Sequence, residues 1–263
     1  MPGDLLTSPG ALLGFLFVLA RVSGIFVFAP LPGVKNGPDA LRVLVSLAIT
    51  VALFPLWPKI GPADQGISSV TAAIAAEAGL GLSIGLAVAF IMEALQMAAQ
   101  ISGIQAGYGY ASTIDPASQA DSPVLLVVAQ LFAGLLFFAT GLDREVLRVC
   151  AGSFRSFPPG KFHLSSGLAQ EMIALSSGIF TMGFRLALPV IALLGMVDLS
   201  LALLGRVNSQ LQLLTLAFPA KMLAALALLA FTSVLFRRVF TLYADQVMAA
   251  LRHFVLVPAA VLG

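Results

Sequence analysis

Residues 180–236 read FTMGFRLALPVIALLGMVDLSLALL, GRVNSQ and LQLLTLAFPAKMLAALALLAFTSVLF, two long apolar runs on either side of a polar break at 205–210. Arg185 and Asp198 lie inside the first run, and Lys221 lies inside the second. An ionised side chain at the centre of a bilayer costs about 2.5–3.5 kcal/mol. We therefore expect these side chains to pair, to line a water-filled cavity or to meet other protein rather than lipid alone.

Two prolines interrupt the backbone hydrogen bonds of the same runs. In a helix, Pro189 leaves the carbonyl of Arg185 without its usual donor, and Pro219 does the same to Thr215. Both features predict a helical hairpin that packs against further protein.

The composition is that of an integral membrane protein. Of 263 residues, 59% are hydrophobic and 10% are charged, with a mean hydropathy of +1.02, whereas soluble domains carry roughly 25% charged residues. The net charge of +2 is too small and too scattered to indicate nucleic acid. The single cysteine, Cys150, excludes an internal disulfide and a zinc cluster, and we expect it to be a packing residue. We expect no metal and no cofactor.

Apolar runs, separated by segments rich in proline, glycine and charge, repeat along the chain. They span 11–29, 41–56, 70–101, 124–142, 172–204 and 211–236. Residues 142–154 and 239–257 mix apolar and charged positions, as interfacial amphipathic helices do. The sequence predicts an all-α integral membrane protein in one domain, 1–263, with about six long hydrophobic helices in hairpins plus short amphipathic helices.

A polar segment at 103–123 interrupts this pattern. It is rich in glycine, serine, aspartate and proline, and it contains no basic residue. Its backbone groups would be unsatisfied in hydrocarbon. The segment is therefore either an aqueous loop or a re-entrant loop that lines a pore.

Motifs of enzymes are missing from the sequence. There is no phosphate-binding Gly-x-x-x-x-Gly-Lys loop, no His-Glu-x-x-His and no Gly-x-Ser-x-Gly. Glu77 and Glu93 are sixteen residues apart, which places them on nearly opposite faces of a straight helix. We do not expect an enzyme. An ion-coupled secondary transporter remains an alternative, because buried Glu, Asp and Arg residues also mark ion pathways.

Several segments, in order along the chain, resemble the FliR/SctT family of type III secretion export-gate proteins. They are Ala20-Arg21-Val22-Ser23-Gly24, Glu77 with Gly81 and Gly85, Gly103-x-Gln105-x-Gly107 leading to Asp115-Pro116, Asp198 with Arg206, and Phe218-Pro219-x-Lys221. The C-terminal hairpin also resembles the small partner FliQ.

The resemblance implies a subunit of the bacterial flagellar export gate rather than an enzyme. It implies a hetero-oligomer with FliP-like, FliQ-like and FlhB-like membrane proteins in the bacterial inner (cytoplasmic) membrane, at the flagellar basal body. Unfolded flagellar proteins would cross the lipid membrane through this channel. It also implies an N-terminal part, 1–170, and a FliQ-like hairpin part, 171–263.

The resemblance implies that the central loop plugs the closed pore. The residues expected there are Gln105, Gly107, Tyr108, Gly109, Tyr110, Asp115 and Pro116. A second group consists of polar residues that we expect to be buried on assembly against partner subunits: Glu77, Glu93, Arg185, Asp198, Arg206 and Lys221.

Two arguments about orientation disagree. The excess of Lys and Arg in alternate connections would place both termini in the cytoplasm. The likeness to FliQ implies instead that the turn of the C-terminal hairpin points to the cytoplasm.

A specific ion pair follows from the hairpin. Asp198 lies eleven residues before Ser209, and Lys221 lies twelve residues after it. Residues equally far from the turn lie at equal depth on facing helices. We therefore predict an Asp198–Lys221 ion pair, with Arg206 as the competing partner of Asp198.

Overall fold

The computed structural model describes residues 9–29, 39–57, 66–107, 124–162, 166–207 and 213–256. Within these ranges the chain is helical, without strands, which confirms the all-α prediction. The helices are α1 (Pro9–Phe28), α2 (Asp39–Ala52), α3 (Ile67–Ala106), α4 (Val124–Ala139), α5 (Leu142–Ser156), α6 (Ser166–Val207) and α7 (Leu213–Leu256).

Three of the helices are longer than a bilayer requires. Helices α3, α6 and α7 contain 40, 42 and 44 residues, or about 60–66 Å at 1.5 Å per residue, against a hydrocarbon core of about 30 Å. By length and composition, Gly10–Phe28, Ile67–Ala106 and Gly167–Arg206 are able to cross a membrane. Two bent pairs raise the count of spans to five at most: α4 with α5, and the two parts of α7, Pro219–Leu228 and Ser233–Val255. The expected number of six was therefore approximate.

The C-terminal part is one helix where the sequence predicted two. We expected the sixth apolar run to end at 236 and an amphipathic helix to follow, but α7 continues through Arg237 and Arg238. No glycine or proline occurs between 220 and 256. The change from apolar to mixed composition therefore alters what the helix faces and does not end it.

Contacts between Cα atoms divide the chain into two units. Unit 1 comprises Met1–Phe90, Phe137–Ser176 and Ala244–Gly263, and unit 2 comprises Ile91–Leu136 and Ser177–Tyr243. Each unit has its own buried apolar residues. The predicted division at residue 170 stays a prediction.

In unit 1, helices α1 and α3 touch backbone to backbone through glycines. A Cβ atom at Gly24 would lie 2.7 Å from the carbonyl oxygen of Ala78, and one at Gly81 would overlap the carbonyl oxygen of Arg21. Gly81 and Gly85, four residues apart, face α1 in the same way. Such spacing of small residues lets membrane helices approach closely, and here it brings Arg21 of α1 alongside α3.

Helix α5 is amphipathic, but its apolar side does not face lipid. Leu142, Val146, Val149 and Phe154 are buried inside unit 1, whereas we expected an interfacial helix lying on the membrane. Packing inside the protein removes the same apolar surface from water, so the amphipathic pattern alone does not distinguish the two arrangements.

In unit 2, α3, α6 and α7 share a small apolar core of Ala106, Val190, Leu194 and Ala225. These residues come from the end of α3, the middle of α6 and the beginning of α7. The core therefore brings the end of α3 next to the hairpin helices, which carry Asp198 and Lys221.

Candidate functional site

A sealed ion pair lies at the centre of unit 1. The Arg21 Nη2 and Glu77 Oε2 atoms are 2.5 Å apart, and both side chains are completely buried. The Nε atom of Arg21 donates a second hydrogen bond to the same carboxylate oxygen at 2.6 Å. The opposite charges lie on α1 and α3, where the glycine contacts hold the two helices together.

The rest of unit 1 satisfies the other polar atoms of this pair. Arg21 Nη1 donates to Ser153 Oγ at 3.0 Å, and Nη2 donates to the carbonyl oxygen of Phe157 at 2.9 Å. The second oxygen of Glu77 accepts from the backbone N–H of Gly160 at 2.8 Å. The guanidinium also lies 4.3 Å from the ring centroid of Phe154. A buried pair is favourable only when its remaining donors and acceptors are satisfied in this way.

The pair corrects one expectation and adds a residue that the sequence analysis missed. Glu77 was expected to be buried against a partner subunit, but its partner is Arg21 of the same chain. The signal for Arg21 was its place inside the first apolar run, where a lone arginine requires a counter-ion.

The predicted second ion pair is present in unit 2 and is more open. Lys221 Nζ lies 2.6 Å from Asp198 Oδ1, with exposed fractions of 11% for the lysine side chain and 44% for the aspartate. The other carboxylate oxygen of Asp198 accepts a hydrogen bond from Gln105 Nε2 at 3.1 Å. Arg206, the competing partner, is exposed in the last turn of α6.

The contacts among Lys221, Asp198 and Gln105 extend to the beginning of the predicted plug loop. Gln105 lies in the last turn of α3, and Gly107 ends the helix in the left-handed conformation at φ 86°, where its N–H donates to the carbonyl oxygen of Ile104 at 3.1 Å. Glycine adopts this conformation without a steric penalty. The other plug residues, namely Tyr108, Gly109, Tyr110, Asp115 and Pro116, lie outside the described residues.

Two other predicted assembly residues are exposed on the chain. Glu93 of α3 is exposed, and its Oε1 atom accepts a hydrogen bond from Gln96 at 3.0 Å. Gln96 in turn accepts from Gln130 of α4 at 3.0 Å. Arg185, in the middle of α6, is also exposed. Helix α6 is the least covered of the three long candidate spans, with 22% of its most apolar window buried against 44% for the other two.

The described part of the chain offers no cluster of His, Cys, Asp and Glu residues that could hold a metal ion. Cys150 is a buried free thiol that packs in unit 1. The candidate site is a set of charged residues in apolar helices, of which some are buried and some are exposed.

Comparison with known proteins gives consistent results. Residues 12–247 match the sequence model of the family described as "Bacterial export proteins, family 1". The chain is 28% identical to the flagellar biosynthetic protein FliR of Escherichia coli (strain K12) over 239 residues, which cover 88% of this chain and 91% of that protein. It is also 28% identical to the protein of the same name from Bacillus subtilis (strain 168), over 87% and 90% of the two chains. The corresponding protein of Caulobacter vibrioides (strain ATCC 19089 / CIP 103742 / CB 15) is 26% identical over 81% and 85%.

Proposed function

Since the chain belongs to family 1 of the bacterial export proteins, we propose that it is a subunit of the flagellar type III protein export gate. In this role it assembles with FliP-like, FliQ-like and FlhB-like proteins in the bacterial inner membrane. The assembly forms the channel through which unfolded flagellar proteins leave the cytoplasm. The chain itself performs no catalysis.

The observation that carries this proposal is the poor coverage of α6. In the most apolar window of its candidate span, Gly167–Arg206, only 22% of the residues are buried, although the span carries Arg185 and the half-exposed Asp198. Lipid solvates neither charge. A helix with this surface is suited to a seam between subunits, which is what a multi-subunit channel requires.

The central loop is proposed as the plug of the closed channel. Gln105 and Gly107 fix the point at which the loop leaves α3, since one is hydrogen-bonded to Asp198 and the other ends the helix. In this proposal Tyr108 and Tyr110 fill the pore, while Gly109 lets the loop pack tightly.

Nothing in the described residues favours the ion-coupled transporter. The most deeply buried charges, Arg21 and Glu77, have their hydrogen-bonding atoms engaged by one another, by Ser153 and by backbone groups. Groups held in this way are poorly suited to bind and release an ion in each transport cycle.

Expression with and without the proposed partners tests the assembly. Produced alone in detergent, the chain should aggregate or be degraded, because its charged surfaces have no partner. Co-expression with FliP-like, FliQ-like and FlhB-like proteins should yield a complex of fixed stoichiometry on size-exclusion chromatography. A monodisperse, thermally stable monomer that does not bind these proteins would refute the proposed function.

Shortening the loop tests the plug. In the assembled gate, deletion of residues 108–114 should let ions and small solutes leak across the membrane, measured by dye or ion flux. Substitution of Ile104, which is exposed on α3 before the loop, by Ala serves as the control. A tight membrane with normal export after the deletion would assign the loop to the aqueous surface.

A further inference from the structure

We infer that one exposed face of α6 docks an apolar membrane helix of a different subunit, and that this helix carries a carboxylate opposite Arg185. The α6 face consists of Arg185, Leu188, Ala192, Met196, Leu199 and Leu203. The inference rests on the proposed function, because it requires the chain to be part of an assembly. It names the chemistry of the partner and the surface of this chain that receives it.

The α6 face is a continuous stripe. Its residues follow one another at intervals of three or four positions, which places them on one side of a helix. The exposed fractions are 56% for Leu188, 65% for Met196, 63% for Leu199 and 56% for Leu203. The described residues of unit 2 leave these large apolar side chains exposed.

The position of Arg185 argues against lipid as the occupant. Thirteen uncharged residues precede it, back to Glu171, and twelve follow it, as far as Asp198. At 1.5 Å per residue, Arg185 lies about 20 Å from either end of this charge-free stretch. That distance is too long for the side chain to reach the headgroups by snorkelling.

The polar groups of Arg185 also have no partner in the part of the chain that the structure describes. Among the described residues its guanidinium makes no hydrogen bond and no ion pair, in contrast to Arg21. Pro189, four positions later within α6, has no N–H to donate to the Arg185 carbonyl. A carboxylate binds a guanidinium through two parallel hydrogen bonds, whereas an acyl chain offers neither donor nor acceptor.

The surface of α6 has room for a helix backbone at Gly195, ten residues after Arg185. A Cβ atom at Gly195 would meet nothing within 4 Å, whereas one at Gly178 or Gly183 of the same helix would press against Tyr243 or Met97. Gly195 and Ala192, three positions apart, are small residues among the exposed leucine and methionine side chains. Small residues of this kind let membrane helices approach closely.

The carboxylate is better supplied by a different subunit than by a second copy of this chain. Within the apolar runs 70–101, 172–204 and 211–236 of the long helices, the carboxylates are those of Glu77, Glu93 and Asp198. Each already accepts a hydrogen bond within the chain. A second copy would have to break one of these contacts to pair with Arg185.

Substitution of Arg185 separates a protein partner from lipid. Arg185→Leu in the co-expressed complex should lower its yield about tenfold, because the partner's carboxylate is left buried and unpaired. Arg185→Lys should retain most of the yield, and Arg155→Leu, at an exposed arginine in the last turn of α5, should leave it unchanged. If lipid covers Arg185, the Leu variant will equal or exceed the wild type, which overturns the inference.

Photo-crosslinking then identifies the occupant. A photoreactive residue at Met196, in the α6 face, should crosslink to an apolar helix of another subunit, within about two turns of an Asp or Glu. The same probe at Leu204, which is 54% exposed on another side of α6, should not give this product. A lipid adduct, a crosslink to a second copy or no crosslink at Met196 overturns the inference. Failure of the wild-type complex to form refutes the proposed function instead, so the two failures are distinguishable.

Discussion

The two ion pairs of this chain use the same chemistry in opposite ways. Arg21 and Glu77 are completely buried, and they bind each other, a serine hydroxyl and two backbone groups. Lys221 and Asp198 lie equally close to each other, but 44% of the aspartate side chain is exposed. The first pair is complete within the chain, and the second still presents a charged group at the surface.

The comparison shows what a charge in an apolar helix indicates. A completely buried pair holds together the helices of one unit and therefore contributes to the stability of the fold. A half-open pair, or a lone charge such as Arg185, leaves a charged group exposed on an apolar helix, and in the proposed assembly further protein covers it. Three substitution series test this distinction, in order of decreasing expected effect.

The sealed pair should be the most sensitive to single substitutions. Arg21→Met or Glu77→Leu alone should destabilise the protein by about 3–5 kcal/mol, because each leaves a buried charge without its partner. The double variant should be less harmful, since no charge is then left unpaired. Accumulation in membranes and the thermal aggregation temperature of the co-expressed complex provide the measurement.

The control for this series is Glu145→Gln. Glu145 forms an exposed pair with Arg252 at 2.7 Å, and such pairs contribute about 0–1 kcal/mol. If the double variant at positions 21 and 77 is as damaging as either single one, the cost does not come from an unpaired charge.

The glycine contact that aligns the sealed pair should come next. Gly81→Ala places a methyl group against the Arg21 carbonyl and should cost about 1–3 kcal/mol, as overpacking does. Gly66→Ala is the matched control, since a Cβ there would meet only the Ser68 hydroxyl at 3.8 Å. Accumulation of Gly81→Ala equal to that of the control would mean that α1 and α3 do not need this close approach.

The half-open pair should show the smallest effect on stability, about 1 kcal/mol, with its main effect on assembly. Asp198→Ala or Lys221→Ala alone should reduce motility more than replacement of both by apolar residues. The exchange Asp198→Lys with Lys221→Asp should recover part of the loss. Motility in soft agar and the yield of the complex are the measurements. If the single variants keep normal motility, or if the exchange variant is no more motile than either single variant, the pair has no role in assembly.

The sequence predicted the second pair but not the first, for a geometric reason. Asp198 and Lys221 lie at similar distances from one turn, so hairpin symmetry relates them. Arg21 and Glu77 are 56 residues apart on α1 and α3, and no symmetry joins them. Several charges lie in the first three apolar runs, and the sequence alone did not indicate which of them meet.

Helix identity was easier to predict than helix ends. The run at 70–101 became Ile67–Ala106 and the run at 172–204 became Ser166–Val207, because these helices extend beyond their apolar stretches into the polar residues at each end. The same reasoning failed at Arg237, where a change in composition was read as a helix end. The exposure of Glu93 and Arg185 depends on which faces neighbouring helices cover, and periodicity does not encode that.

The contact between Arg21 and the Phe157 carbonyl has a consequence for biogenesis. Its partners are separated by 136 residues, which at about 5–20 residues per second take roughly 7–27 s to synthesise. Throughout that time α1 carries its arginine without the acceptors supplied by the end of α5. Nascent chains arrested before and after residue 160 should therefore differ in the protease protection of α1. We expect α1 to be sheltered within the membrane during that time, and unit 1 to close only after the end of α5 has left the ribosome.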